Sequence, residues 1–301
     1  MALKITRAAD PITVDRLNLC IYGQPGAGKT SLAFTASRPL LLDFDAGAYR
    51  AANRKDSVQI KGWQDVAGIG ADDLADFDTI IIDTAGRALD ALSSDIIRRN
   101  PKAGRGGALT LQGYGTLKAE FVAFLKLVNG FGKDVVLIAH MDEQRNGDDI
   151  IERLDVQGGS KGEIYKASDA MGRIFVKGNT RQLDFTPREG SFGKNPGQLD
   201  VLEIPHPDRE PAFLAGVIQS IKDKLNTLTA EQTAARAELA NWKDKAEAAT
   251  DVDAINALIP EATGKSDAIK ALIGRQAKAL GLVFDKDAKQ YVAPDTQDEA
   301  A

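Results

Sequence analysis

The chain has 301 residues, 43% hydrophobic and 27% charged, and its 38 basic and 43 acidic side chains leave a formal net charge of −5. A collagen-like or low-complexity chain would need far more than 28 Gly and 11 Pro, and a disordered chain could not carry this apolar content. The acidic balance excludes nucleic-acid binding through a global positive field, so any polyanion must be held locally.

In chain order, residues 17–22 (LNLCIY) form a short apolar run that reads as a buried parallel strand. Directly after it stands Gly23-Gln24-Pro25-Gly26-Ala27-Gly28-Lys29-Thr30, a full match to G-x-x-x-x-G-K-[ST], followed by Ser31. Glycines let a backbone curl so that its N–H groups converge on phosphate oxygens, and the helix behind presents its positive end. Lys29 would reach the β- and γ-phosphates of ATP and the Thr30 hydroxyl would ligate Mg²⁺. Residues 39–45 (PLLLDFD) form a second strand, whose alternation puts Asp43 and Asp45 on one side at its carboxyl edge. One of them would orient and deprotonate the attacking water. Asp45, further along, is favoured, with Asp43 second and a merely solvated strand end as the bland reading. Residues 78–83 (DTIIID) form a third strand, expected beside the loop's own strand, and end in Asp83, the candidate Walker-B carboxylate for the Mg²⁺ water shell.

Residues 98–107 (RRNPKAGRGG) gather Arg98, Arg99, Lys102 and Arg105 into the densest basic patch of the chain. Phosphate contacts there would be salt-dependent and sequence-independent, although such a run is also what a solvated loop looks like. No aromatic residue interleaves with these cations, so base stacking would fall to Tyr114 or Tyr165. Over 111–130, Leu117, Phe121, Phe124, Leu125 and Val128 recur at helical spacing, and 135–140 (VVLIAH) is a fourth strand ending in His140. Residues 141–163 follow as a long polar stretch, expected to be an irregular loop, with Arg145, Gly158-Gly159 and Lys161. Beyond residue 170, two β-like runs around Gly178-Asn179 predict an antiparallel edge hairpin.

The alternation of strands and helices implies an α/β fold with a mostly parallel, doubly wound sheet. It is expected to close over residues 1–208, leaving a helical module at 209–293 and a disordered tail at 294–301. Within that module Thr229…Gln232 reads as a capping box, and Thr250 and Ser266 as starts of two more helices, with Gly281 as a stop. A single Cys (Cys20) excludes a disulfide framework and fits a reducing compartment. With two His (His140 and His206) there is no thiolate or imidazole cluster for zinc. No apolar run reaches the ~18 residues of a membrane span and the first residues carry no apolar leader, so the expected location is the cytoplasm, without membrane contact.

The order of these pieces, from phosphate loop through carboxylate-ended strands to a polar strand end, resembles the RecA-type recombinase core. It resembles more closely the small bacteriophage RecA-like ATPases that act as single-strand annealing proteins, over roughly residues 17–200. The resemblance implies a RecA-like P-loop NTPase core that hydrolyses ATP with Mg²⁺ on single-stranded DNA, as a homo-oligomeric ring or filament. In it Asp45 matches the catalytic Glu, with a shorter side chain, and His140 matches the γ-phosphate sensor. The patch at 98–107 matches the first DNA-binding loop, and 141–163 with Arg145 and Lys161 the second. Tyr165-Lys166-Ala167-Ser168 is similar to the segment that follows there. Lys194, in Gly193-Lys194-Asn195-Pro196 after Arg188, matches the first cation of a finger reaching the neighbouring subunit, with Pro196 where the second would stand. The C-terminal helices would bind a partner such as a single-strand-binding protein, control assembly, or only cover the core. Two other functions remain open: a motor ATPase (helicase, helicase loader or packaging type), and a nucleotide-gated binding module with negligible turnover.

Overall fold

The computed structural model describes residues 12–146, 149–156 and 161–294. Among these, the main sheet is built from β1 (Asn18–Gly23), β2 (Pro39–Asp43), β3 (Ser57–Gln59), β4 (Thr79–Asp83), β7 (Asp134–Asn146), β8 (Asp149–Leu154), β9 (Ala170–Lys177), β10 (Thr180–Asp184) and β11 (Leu202–Glu203). Two short strands, β5 (Gly104–Arg105) and β6 (Ala108–Leu109), form a separate hairpin. The strand order is β11-β10-β9-β1-β7-β4-β2-β3, with β8 paired to the far end of β7. From β3 to β9 every neighbour is parallel, and β10 and β11 add antiparallel at the edge.

The central strands β1, β2, β4 and the first half of β7 are apolar because the sheet is covered on both faces there, and their period of two sorts the side chains. Cys20, Tyr22, Leu40, Leu42, Ile80, Ile82, Val135 and Leu137 pack on one face with α3 (Ala85–Arg99) and α4 (Leu111–Gly130). Leu19, Ile21, Leu41, Ile81, Val136 and Ile138 pack on the other with α1 (Lys29–Ala33) and the first turns of α6 (Phe213–Ala248). α4 covers the predicted 111–130, capped by the Thr110 hydroxyl, which accepts from the Gly113 amide at 3.2 Å. The short helices α2 (Gln64–Ala67) and α5 (Lys161–Ala167) complete this unit.

Four sequence expectations need correction. β7, not the phosphate-loop strand, adjoins β4, so Asp83 stands two strands from Gly23. β7 does not end at His140: it runs on to Asn146 and pairs antiparallel with β8 from Met141↔Leu154 to Asn146↔Asp149. Most of the expected irregular loop is thus a β-hairpin, while Gly158-Gly159 lies outside the described residues. The compact unit that carries the sheet spans Val14–Asn226 and so runs past residue 208, because Leu214, Val217, Ile218 and Ile221 of α6 are buried against it. Lys222 adds a buried ion pair with Asp134 at 2.7 Å, and Asp134 also accepts from the Leu17 amide. Finally, Thr229 lies inside α6 rather than at a helix start, and its hydroxyl donates to the Ile12 carbonyl at 3.0 Å.

From Thr227 onward lies a second compact unit. Its core of Trp242, Ile255, Leu258, Ile269, Ile273 and Ala277 is formed by the end of α6 with α7 (Val252–Glu261) and α8 (Asp267–Ala279). α7 is capped by Asp251 rather than Thr250, its carboxylate accepting from the Ala254 amide at 2.8 Å. The helices are joined by a hairpin that sequence reading missed, β12 (Val283–Asp285) with β13 (Gln290–Val292). The expected tail from 295 onward lies outside the described residues. Among the described residues no helix is long and apolar enough to cross a membrane.

Candidate active site

The phosphate loop leaves the carboxyl end of β1 and enters α1. Gly23 is obligatory by packing, since a Cβ there would lie 2.6 Å from the Ile174 carbonyl oxygen of β9. Gly28 is obligatory by conformation: its φ of +82° belongs to the left-handed region that a side chain disfavours. α1 has five residues, so the loop amides themselves, more than a long helix dipole, would present the positive charge here.

Around the loop opens a cleft of about 470 Å³ lined by Pro25, Gly26, Gly28, Lys29, Thr30, Ser31, Asp45, Gly47, Arg50, Asp83 and His140, among others. Lys29 is 5% exposed, and its Nζ donates to the Gly23 and Gln24 carbonyls, both at 2.9 Å. Burial pulls its pKa down to about 8 against the opposing charges of Asp83 and Asp45. The Thr30 hydroxyl donates to Asp83 Oδ2 at 2.6 Å. Burial raises the Asp83 pKa, with the Thr30 hydrogen bond opposing and the Asp43 and Asp45 charges adding to the rise.

This donor set fits a magnesium–nucleotide complex. Among the described residues no cluster of three His, Cys, Asp or Glu side chains could hold a metal alone. A hydroxyl beside a single carboxylate is what Mg²⁺ uses when substrate phosphates and water supply its other ligands.

The two acidic candidates of the second strand separate by their partners. Asp43 is 4% exposed and both its carboxylate oxygens accept backbone amides, from Gly47 at 3.0 Å and Ala48 at 2.9 Å. It shapes the turn after β2, which Ala46 enters at φ +48°, a strained position beside the cleft. Asp45 reaches the cleft, half-buried, with Arg50 at 2.9 Å and Arg87 at 3.8 Å. Sequence reading did not single out those two arginines, since nothing local marks a cation five or 42 residues away as a partner.

His140 pairs in register with Gly23 across β1 and β7, which puts it at the mouth of the loop. Its Nδ1 is buried with no hydrogen-bond partner among the described residues. Burial first and the Lys29 charge second hold its pKa below the ordinary value, so the ring is neutral at pH 7. The strand then carries Glu143 back to the loop, where its carboxylate accepts from Gln24 Nε2 at 2.7 Å.

The remaining expected residues do not join this cleft. Arg98 and Arg99 are the last turn of α3 rather than a mobile loop; Asp95 holds them at 2.8 and 2.6 Å, and Glu120 of α4 also holds Arg99 at 2.6 Å. Lys102 and Arg105 are exposed, on a 3-10 turn and on the β5–β6 hairpin. Arg145 lies near the end of β7 and Lys161 at the start of α5; neither side chain belongs to the described structure. Lys194 is engaged within its own chain, donating to the Tyr165 and Ser168 carbonyls at 2.5 and 2.7 Å with its ammonium 4.4 Å from the Tyr165 ring. It pins α5 to the strand edge, which does not fit a finger into a neighbour. Tyr165 is thereby a packing residue, against Lys194 and Phe192, and Tyr114 packs on the core.

A family model described as an AAA domain matches residues 15–196, which include every cleft residue named above. No curated protein matches the chain.

Proposed function

Because the chain belongs to the AAA domain family of P-loop ATPases, we propose that it hydrolyses ATP and uses the nucleotide state to hold single-stranded DNA, as an oligomer, for annealing or strand exchange of the phage recombination type. Lys29 and the loop amides bind the phosphates; the Thr30 hydroxyl would ligate Mg²⁺ and Asp83, bonded to that hydroxyl, would hold the water shell. Mg²⁺ bound there would neutralise phosphate charge. Asp45, held in place by Arg50 and Arg87, orients a water and takes its proton as the water oxygen attacks the γ-phosphorus and the bond to ADP breaks. Neutral His140 lines the cleft at that end of the phosphate chain.

The observation that carries the coupling is the continuity of β7. One strand passes from His140, in register with the phosphate loop, into the hairpin that bears Glu143 and Arg145. A change at the γ-phosphate moves a rigid element rather than a slack loop. Arg145, Lys161, Lys102 and Arg105 are the proposed DNA contacts, because Arg98 and Arg99 are neutralised by carboxylates. The ion pairs on Asp45 also favour a second reading, a nucleotide-gated binder in which Arg50 and Arg87 hold that carboxylate to themselves rather than leaving it to a water, so that turnover is negligible.

Phosphate release and DNA binding by wild type, Lys29→Ala and an Arg145→Ala/Lys161→Ala/Lys102→Ala/Arg105→Ala variant test the proposal. Expected are DNA-stimulated release in wild type and none in Lys29→Ala. The fourfold variant should bind DNA more weakly and with a shallower salt dependence, the log–log slope falling by about 0.7 for each phosphate that the protein ceases to neutralise. Wild-type protein that neither binds single-stranded DNA nor changes its rate with it overturns the DNA function. ATP binding without phosphate release selects the gated binder.

A further inference from the structure

The Cβ position of Gly28 is occupied by Nη1 of Arg181, a residue 153 positions away on β10. Arg181 stands on the same face of its strand as Leu183, the face on which α1 packs, so its side chain extends over the loop rather than away from it. It is half-buried, and among the described residues its guanidinium has no carboxylate and no hydrogen-bond acceptor. Its neighbours differ: Arg173 pairs with Glu152 and Arg188 with Asp184. A partly desolvated guanidinium with no anion, lying on a loop whose amides collect phosphate, calls for an anionic ligand.

We propose that Arg181 is a nucleotide-binding residue supplied by the same chain, closing over the α- and β-phosphates. This rests on the ATP-binding reading above. The sheet order assigns it to that end of the phosphate chain. β10 lies beyond β9 on one side of β1, whereas His140, Asp83 and Asp45 come from β7, β4 and the turn after β2 on the other side. Those groups surround the γ-phosphate, and Arg181 approaches from the opposite flank, at the loop backbone that cradles α and β. It also gives Gly28 a second reason to be glycine, because a methyl group there would displace the guanidinium.

Titration of fluorescent ATP and ADP analogues into wild type, Arg181→Ala, Arg181→Lys and Lys29→Ala tests this. Removing a charge-assisted hydrogen bond to phosphate is expected to weaken ATP and ADP by the same factor, about ten- to a hundredfold, in Arg181→Ala. Arg181→Lys should recover part of that affinity, and the nucleotide-free melting temperatures of the Arg181 variants should match wild type. Unchanged affinity for both nucleotides overturns the assignment, and so does a weakening confined to ATP, which would move the contact to the γ-phosphate. If wild type and Lys29→Ala alike bind neither nucleotide, the ATP-binding reading itself falls and takes this one with it.

Discussion

Gln24 of the phosphate loop donates to Glu143 of the β7–β8 hairpin at 2.7 Å, joining the nucleotide cleft to a residue 119 positions later in the chain. The contact is exposed and contributes little to stability, as surface pairs do. Its position matters more: it is a direct polar link between the phosphate-binding motif and the proposed DNA-facing hairpin.

Glu143→Ala should therefore leave DNA-free phosphate release within about twofold of wild type and cut its stimulation by single-stranded DNA severalfold, by an amount that the roughly 0.5 kcal/mol of a surface contact cannot supply through unfolding. The measurement is phosphate release across a DNA titration, with melting temperature alongside. Full stimulation in the variant means that the hairpin senses nucleotide by another route.

The depressed pKa of Lys29 makes a stability prediction with a definite sign. Below pH 8 the side chain is charged in both the folded and unfolded protein, and its burial destabilises the fold by up to about 3 kcal/mol. Between about pH 8 and the ordinary lysine value near 10.5 the folded chain releases its proton first, so the penalty fades as pH rises. Lys29→Met is expected to melt higher than wild type at pH 7, by an amount reduced by the two carbonyl hydrogen bonds it removes, and the advantage should shrink toward pH 10. Nucleotide binding should be absent at every pH. For wild type, ATP affinity should fall as pH passes above about 8. Melting curves and ATP titrations from about pH 6 to 10 check both.

Asp45→Asn and Asp43→Asn should fail differently. The first removes the proposed base and should lower turnover about 10²- to 10⁴-fold while ATP still binds. The second leaves two turn amides, at Gly47 and Ala48, with a poorer acceptor and should cost about 1–3 kcal/mol of stability. Single-turnover phosphate release, ATP binding and chemical denaturation separate the two. An Asp45→Asn protein with wild-type turnover would remove Asp45 from the mechanism.

The parts that were legible share one property, in that their meaning is local. Gly23 to Thr30 is contiguous, so the loop's conformation and ligand follow from one unbroken segment. Asp83 ends an apolar run that can be little other than a buried strand, and α4 announces itself by period. The β7–β8 hairpin did not, because Asp142, Glu143, Gln144 and Arg145 carry none of the β-branched or aromatic residues that mark a strand, and a two-stranded extension reaching beyond the core needs none. Arg98 and Arg99 read as free cations because the helical turn that brings Asp95, three and four residues earlier, onto their face reads in sequence as a mobile loop, and because the second partner of Arg99, Glu120, comes from the next helix. Lys194 read as a finger because its two carbonyl acceptors belong to residues 165 and 168.

The α/β class, the phosphate loop and the carboxylates that end strands follow from local pattern alone, since periodicity and contiguous motifs are encoded residue by residue. Tertiary structure decided which of Asp43 and Asp45 faces the cleft, which arginines are already neutralised, and that Arg181 from the edge hairpin arrives over Gly28. Those outcomes depend on strand order and on pairs far apart in the chain, and a charge acquires its role only from the neighbours that folding brings to it.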